Sequence, residues 1–127
     1  MVDKAKIFRF IPSLIWMLII FYFSGRQTTG VQGTFTQRFL ILKSLHLIEY
    51  AILFILFYFG FKKIKPSLFT AYLYALSDEL HQSFVYGREG RIRDTFIDLL
   101  GIFIGIFLIQ HIFPIIAKLN RDKSPHK

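Results

Sequence analysis

The 127-residue chain contains no cysteine. That excludes disulfides, thiolate zinc sites, iron–sulfur clusters, covalently attached haem and a cysteine nucleophile, so any metal would rest on His, Asp or Glu. Acidic residues are few: 8 Asp and Glu stand against 16 Lys and Arg, a formal net charge of +8. Proline is also scarce, at positions 12, 66, 114 and 125, and none falls inside a long apolar run where it would break a helix. What the chain does have is hydrocarbon. Hydrophobic residues make up 54% of it, 16 of them Phe, and the mean hydropathy is +0.47. Such a composition coexists with +8 only if charge and hydrocarbon are segregated along the chain, which excludes intrinsic disorder and points to a polytopic membrane protein.

Four apolar stretches, about 7–24, 44–61, 66–86 and 92–114, each have the length of a membrane-crossing helix. The expected fold is all-α: one domain over 1–127, a four-helix transmembrane bundle of up-and-down topology. The first stretch follows Lys4, Lys6 and Arg9 but ends on bulky Tyr22 and Phe23, which argues against a cleaved signal peptide. Ten of the 16 Lys and Arg lie at the N-terminus, between spans two and three, and at the C-terminus; six lie on the other side. The positive-inside bias therefore places both termini in the cytoplasm. It also accounts for the basic composition by juxtamembrane anchors, so no nucleic-acid partner is expected. The long link 25–43 is either a plain connector, loosened by Gly30 and Gly33, or a lid in which Phe35, Phe39, Leu40 and Leu42 form a short amphipathic piece. Gly101 and Gly105 form a small-xxx-small pair suited to close helix contact within the bundle.

Chemistry is carried by ionisable residues inside apolar stretches, each costing a few kcal/mol unless it faces a partner or water. Span two has His46, Glu49 and Tyr50 on one face. Span three carries Ser77, Asp78, Glu79, His81 and Gln82, of which Ser77, Asp78, His81 and Gln82 share an arc of roughly 140° with Glu79 beside it. Arg88, Arg91, Asp94 and Asp98 follow at spacings of three and four. Alternation of the spans brings all three groups to one end of the bundle, with Ser24, Arg26 and Gln27 closing the fourth wall. The result is a polar pocket in one leaflet, outward-facing on the charge count, and no relay of protonatable groups crosses the membrane.

Three readings stay open at this point. The first is a site for an anionic or lipidated ligand, with arginines on the anion. The second is a hydrolase or transferase site with Asp78, Glu79 and His81 as catalytic candidates, and a divalent metal on His46, Glu49, Asp78 and His81. Or it is an interhelical network that fixes packing. Oligomeric state is not legible.

The run from Ser77 to Arg88, with His46, Glu49 and Tyr50 before it and Asp94 and Asp98 after it, resembles the VanZ-like membrane proteins. The resemblance extends from Phe23, Ser24 and Gln27 through span four. Two positions depart: Tyr86 stands where proline is common, and Gly25 and Arg26 replace a serine-rich pair. The resemblance implies a small four-span protein of the bacterial cell membrane. It also implies a theme of low-level resistance to teicoplanin-type glycopeptides, whose acyl tail anchors them in the outer leaflet. The partners it suggests are membrane lipids and a lipidated glycopeptide or lipid-linked cell-wall intermediate.

Overall fold

The computed structural model describes residues 4–26, 32–88 and 91–122. Gln27, Gly30 and the tail 123–127 lie outside them. The described residues are helical throughout, joined by short turns. The elements are α1 (Lys4–Phe8), α2 (Ile11–Ser24), α3 (Phe35–Phe61), α4 (Ile64–Ser83), a 3-10 turn at Ile92–Asp94, α5 (Thr95–Phe107), a π turn at Leu108–Ile112 and α6 (Phe113–Asp122). Three helical stretches, Lys4–Ser24, Phe35–Phe61 and Ile92–Asp122, are long and apolar enough to cross a membrane. α4 is not among them, because Ser77, Asp78, Glu79, His81 and Gln82 load its last two turns.

The helix bounds differ most from the sequence reading at two places. α3 starts at Phe35, nine residues before the expected 44, and absorbs 35–43 of the stretch 25–43 read as a connector or lid. The cause is local: the Thr34 side chain accepts from the Gln37 backbone N–H while the Gln37 side chain accepts from the Thr34 N–H, a capping box that satisfies two orphan donors at once. At the other end of the chain, helix continues past Pro114 to Asp122. The π turn makes this possible: Phe113 N–H reaches back five residues to the Leu108 carbonyl, which shifts the hydrogen-bond ladder just ahead of the proline.

α3 is the central helix and touches α2, α4 and α5, its broadest contact being with α5. That contact is built on glycine. A Cβ on Gly101 would meet the Leu47 carbonyl oxygen at 2.5 Å, and one on Gly105 would meet that of Ala51 at 2.8 Å, so the two backbones lie as close as small residues permit. Phe10 seats over Gly60 and edges onto Phe61 at 4.8 Å, tying the start of α2 to the end of α3. Trp16 Nε1 donates to the Glu49 carbonyl at 2.9 Å, and the Tyr74 hydroxyl donates to the Met17 carbonyl. The apolar core beneath consists of Ile20, Tyr50, Leu53, Phe54, Phe57, Ala71, Ala75 and Ile102. Large apolar side chains such as Leu18, Phe69 and Phe96 point outward, as a surface solvated by acyl chains requires.

Candidate functional site: a cationic cavity above buried carboxylates

The end of α2, the beginning of α3, the end of α4 and the beginning of α5 meet at one end of the bundle. α4 supplies its share through a stripe of buried positions: Ser67, Ala71, Ala75, Asp78, Glu79 and Gln82. The spacing of four, four, three, one and three is that of a helix face turned inward. The small residues along it let α4 approach α3, and the same face then carries two carboxylates and an amide into the bundle.

Asp78 is a hub. Its Oδ2 accepts from Ser24 Oγ at 2.9 Å, from the Tyr50 hydroxyl at 3.1 Å and from Gln82 Nε2 at 3.1 Å, so three helices converge on one buried oxygen. Gln82 Nε2 also lies 3.3 Å from Ser24 Oγ. A second pair bridges α3 and α5: His46 Nδ1 lies 3.2 Å from Asp98 Oδ1 and 4.0 Å from Glu49 Oε2. The Tyr50 ring is parallel to His46 at 6.3 Å. Asp98 is 1% exposed and Glu79 4% exposed. Glu79 Oε2 accepts from the Arg91 backbone N–H at 3.1 Å, which pins the α4–α5 link onto α4.

Above these groups opens a cavity of about 430 Å3, within the ordinary range of small-molecule sites. Among the described residues its lining cations are Lys43, Arg88, Arg91 and Arg93, and its lining carboxylate is Asp94, which takes Lys43 at 2.9 Å. Phe35, Phe39 and Leu42, from the first turns of α3, make an apolar wall, and His46 and Gln82 also line it. Arg88 is fixed by a 2.8 Å bond from Nη1 to the Ser24 carbonyl. Gly87 turns the chain toward it with φ of +80°, a conformation an L side chain resists. Burial lowers the Arg88 guanidinium from its ordinary range, while the carboxylates of Asp78, Glu49 and Glu79 pull it back up; it stays a cation.

The structure thus brings together His46, Glu49, Tyr50, Asp78, Glu79, Gln82, Arg88, Arg91, Asp94 and Asp98, but it sets two expected members apart from them. Ser77 is exposed and bonds its own helix at the Tyr74 carbonyl, 2.7 Å. His81 stacks on Phe21 with ring centroids 4.2 Å apart. The inward arc of α4 is centred on Asp78 and Glu79, not on the Ser77 and His81 side, because the small-residue stripe sets the face. Expected as a consequence is that Ser77→Ala shifts thermal unfolding by no more than about 0.5 kcal/mol. The candidate metal set is accordingly split: His46 and Glu49 face Asp98, Asp78 is held by hydroxyls and an amide, and His81 packs on α2. Among the described residues no group of three or more His, Asp or Glu is disposed to hold a metal ion.

Lys43 and Arg93 were missing from the sequence-derived site, as was the apolar wall. Lys43 precedes His46 by three positions and so shares its helix face, a signal that becomes readable once the helix is known to start at Phe35. Compared with known proteins, residues 6–114 match a family model described as VanZ/LLP1. No curated protein and no solved structure matches.

Proposed function

Because the chain belongs to the VanZ/LLP1 family, and that match spans all four long helical stretches, we propose that it is a four-crossing, up-and-down membrane bundle with both termini in the cytoplasm. Its work is to bind an anionic amphiphile in the cavity, which opens toward the outer leaflet. The observation that carries the reading is the cavity's lining: Lys43, Arg88, Arg91 and Arg93 beside an apolar wall of Phe35, Phe39 and Leu42. Guanidinium groups bind phosphate or carboxylate in a planar, two-pronged way, and the aromatic wall accepts the first methylenes of an acyl or prenyl chain. α4 crosses with its polar end in the headgroup region, where its five polar residues meet partners instead of hydrocarbon. In the resistance theme of the family, the occupant is a lipid-linked envelope component or an acylated glycopeptide held at the same depth.

Dodecyl phosphate is a suitable probe, with dodecylphosphocholine as the zwitterionic control. The detergent-solubilised chain is expected to prefer the phosphate, and Arg88→Ala and Arg91→Ala are each expected to weaken it about tenfold or more, the loss of one charge-assisted contact. Equal affinity for both probes, or unchanged dissociation constants in the two variants, sinks the proposal.

A further inference from the structure

Lys43 meets any ligand already neutralised. Its Nζ lies 2.9 Å from Asp94 Oδ2, and both residues line the cavity. The pair is not sealed: its side chains are 18% and 16% exposed, and an ion pair in contact with water adds little to stability. α3 and α5 are joined without it, by backbone contact at Gly101 and Gly105. What the pair governs is the charge that a ligand encounters.

An anion that reaches Lys43 must displace the Asp94 carboxylate, and that carboxylate cannot go far. The Asp94 backbone N–H donates to the Arg91 carbonyl at 2.7 Å, and Asp94 closes the 3-10 turn that runs into α5, so its side chain swings while its backbone stays. A displaced Asp94 therefore remains beside the ligand as a like charge. A headgroup with one negative charge gains nothing by the exchange, since it replaces one anion on Lys43 by another and adds repulsion. A headgroup with two brings one charge more than it displaces, and Arg88 and Arg93 line the same cavity to receive it. Repulsion built in against the wrong ligand is a general source of discrimination. A phosphomonoester carries about 1.5 to 2 negative charges at neutral pH, whereas a phosphodiester carries a single one. Lys43 also stands at the seam between the charged lining and the apolar wall, with Nζ 5.8 Å from the centre of the Phe39 ring. A phosphate seated on Lys43 thus lies next to Phe39, where the chain it carries meets apolar surface.

We propose that the cavity selects amphiphiles ending in a phosphomonoester over those with a phosphodiester headgroup, Lys43 binding the phosphate and Asp94 acting as the internal carboxylate that a ligand must displace. The inference rests on the anion-binding reading above and names its ligand class. Only ion pairing is exchanged; no covalent step is involved.

The test uses the full chain in an uncharged detergent, with dodecyl phosphate as the monoester and methyl dodecyl phosphate as the diester of equal chain length. The unmodified chain is expected to prefer the monoester about tenfold or more. Asp94→Asn tightens the diester about tenfold and brings the ratio of the two dissociation constants below about threefold. Adding Lys43→Met to Asp94→Asn reverses that gain, while Asp94→Glu, which keeps the charge, keeps the preference. Asp94→Ser serves if the asparagine variant does not fold. Inorganic phosphate in about hundredfold excess leaves dodecyl phosphate bound, because it lacks the chain's apolar contact; displacement at equal concentration assigns the site to free phosphate and overturns the amphiphile. Equal affinity of the unmodified chain for the two esters, or unchanged or weaker diester binding by folded Asp94→Asn, overturns the selection and leaves anion binding standing. A tightening that survives Lys43→Met removes Lys43 from the ligand and also overturns it. Failure of the unmodified chain to bind either ester overturns the anion-binding reading itself.

Discussion

Gly101→Ala is expected to destabilise the protein by about 3 kcal/mol, at the upper end of the usual cost of over-packing, and Gly101→Leu to prevent the bundle from forming. The added Cβ would stand 2.5 Å from the Leu47 carbonyl oxygen and 3.1 Å from its Cα. Both are backbone atoms, which cannot rotate aside, so α3 and α5 must separate. In a membrane this separation is not resisted by a hydrophobic drive between helices, since acyl chains solvate an apolar face as well as a neighbouring helix does. Close packing is what is lost. The damage would also reach the site, because Leu47 adjoins His46 and Gly101 lies one turn beyond Asp98. Unfolding in mixed micelles by titration with a denaturing detergent measures the change; a shift below about 0.5 kcal/mol would show that the helices tolerate the gap.

Asp78→Ala is the second large effect. Ser24, Tyr50 and Gln82 all donate to one oxygen, and each donor left buried without an acceptor costs about 1–3 kcal/mol. Partial rearrangement brings the expected total to about 3–5 kcal/mol, comparable to breaking a buried ion pair. Asp78→Asn retains an acceptor at that position and is expected to recover more than half of this. The same detergent titration reads both variants. Any fraction that remains folded is expected to bind dodecyl phosphate with unchanged affinity, because Asp78 organises the ends of three helices beneath the cavity and does not line it. Weakened binding by folded Asp78→Asn would instead place the carboxylate in contact with ligand.

The sequence reading located the helices, since unbroken apolar runs admit little else, and it brought the correct chain ends together, since helices joined by short links must alternate. It went astray where residue type was allowed to stand for direction. Ser77 and His81 are polar and in the right turn of α4, yet the face turned inward is set by Ser67, Ala71 and Ala75 two and three turns earlier, residues with no chemistry of their own. Glu79, placed beside the polar arc, is in fact buried, at one edge of the inward face. The start of α3 was legible in the Thr34 and Gln37 spacing, and with it the apolar wall and Lys43. Pairing of His46 with Asp98 rather than with Asp78 was not legible: it depends on the axial register of α3 against α5, which two glycines fix by contact and which no periodicity reveals.

Several of the struts between helices run from a side chain to a main-chain oxygen: Trp16 to Glu49, Tyr74 to Met17 and Arg88 to Ser24. Each such link is one-sided in its genetics. Drift at the receiving position leaves the carbonyl where it was, whereas drift at the giving position abolishes the bond. The scaffold can therefore absorb mutations asymmetrically, with evolutionary latitude concentrated at Met17 and withheld from Trp16, Tyr74 and Arg88.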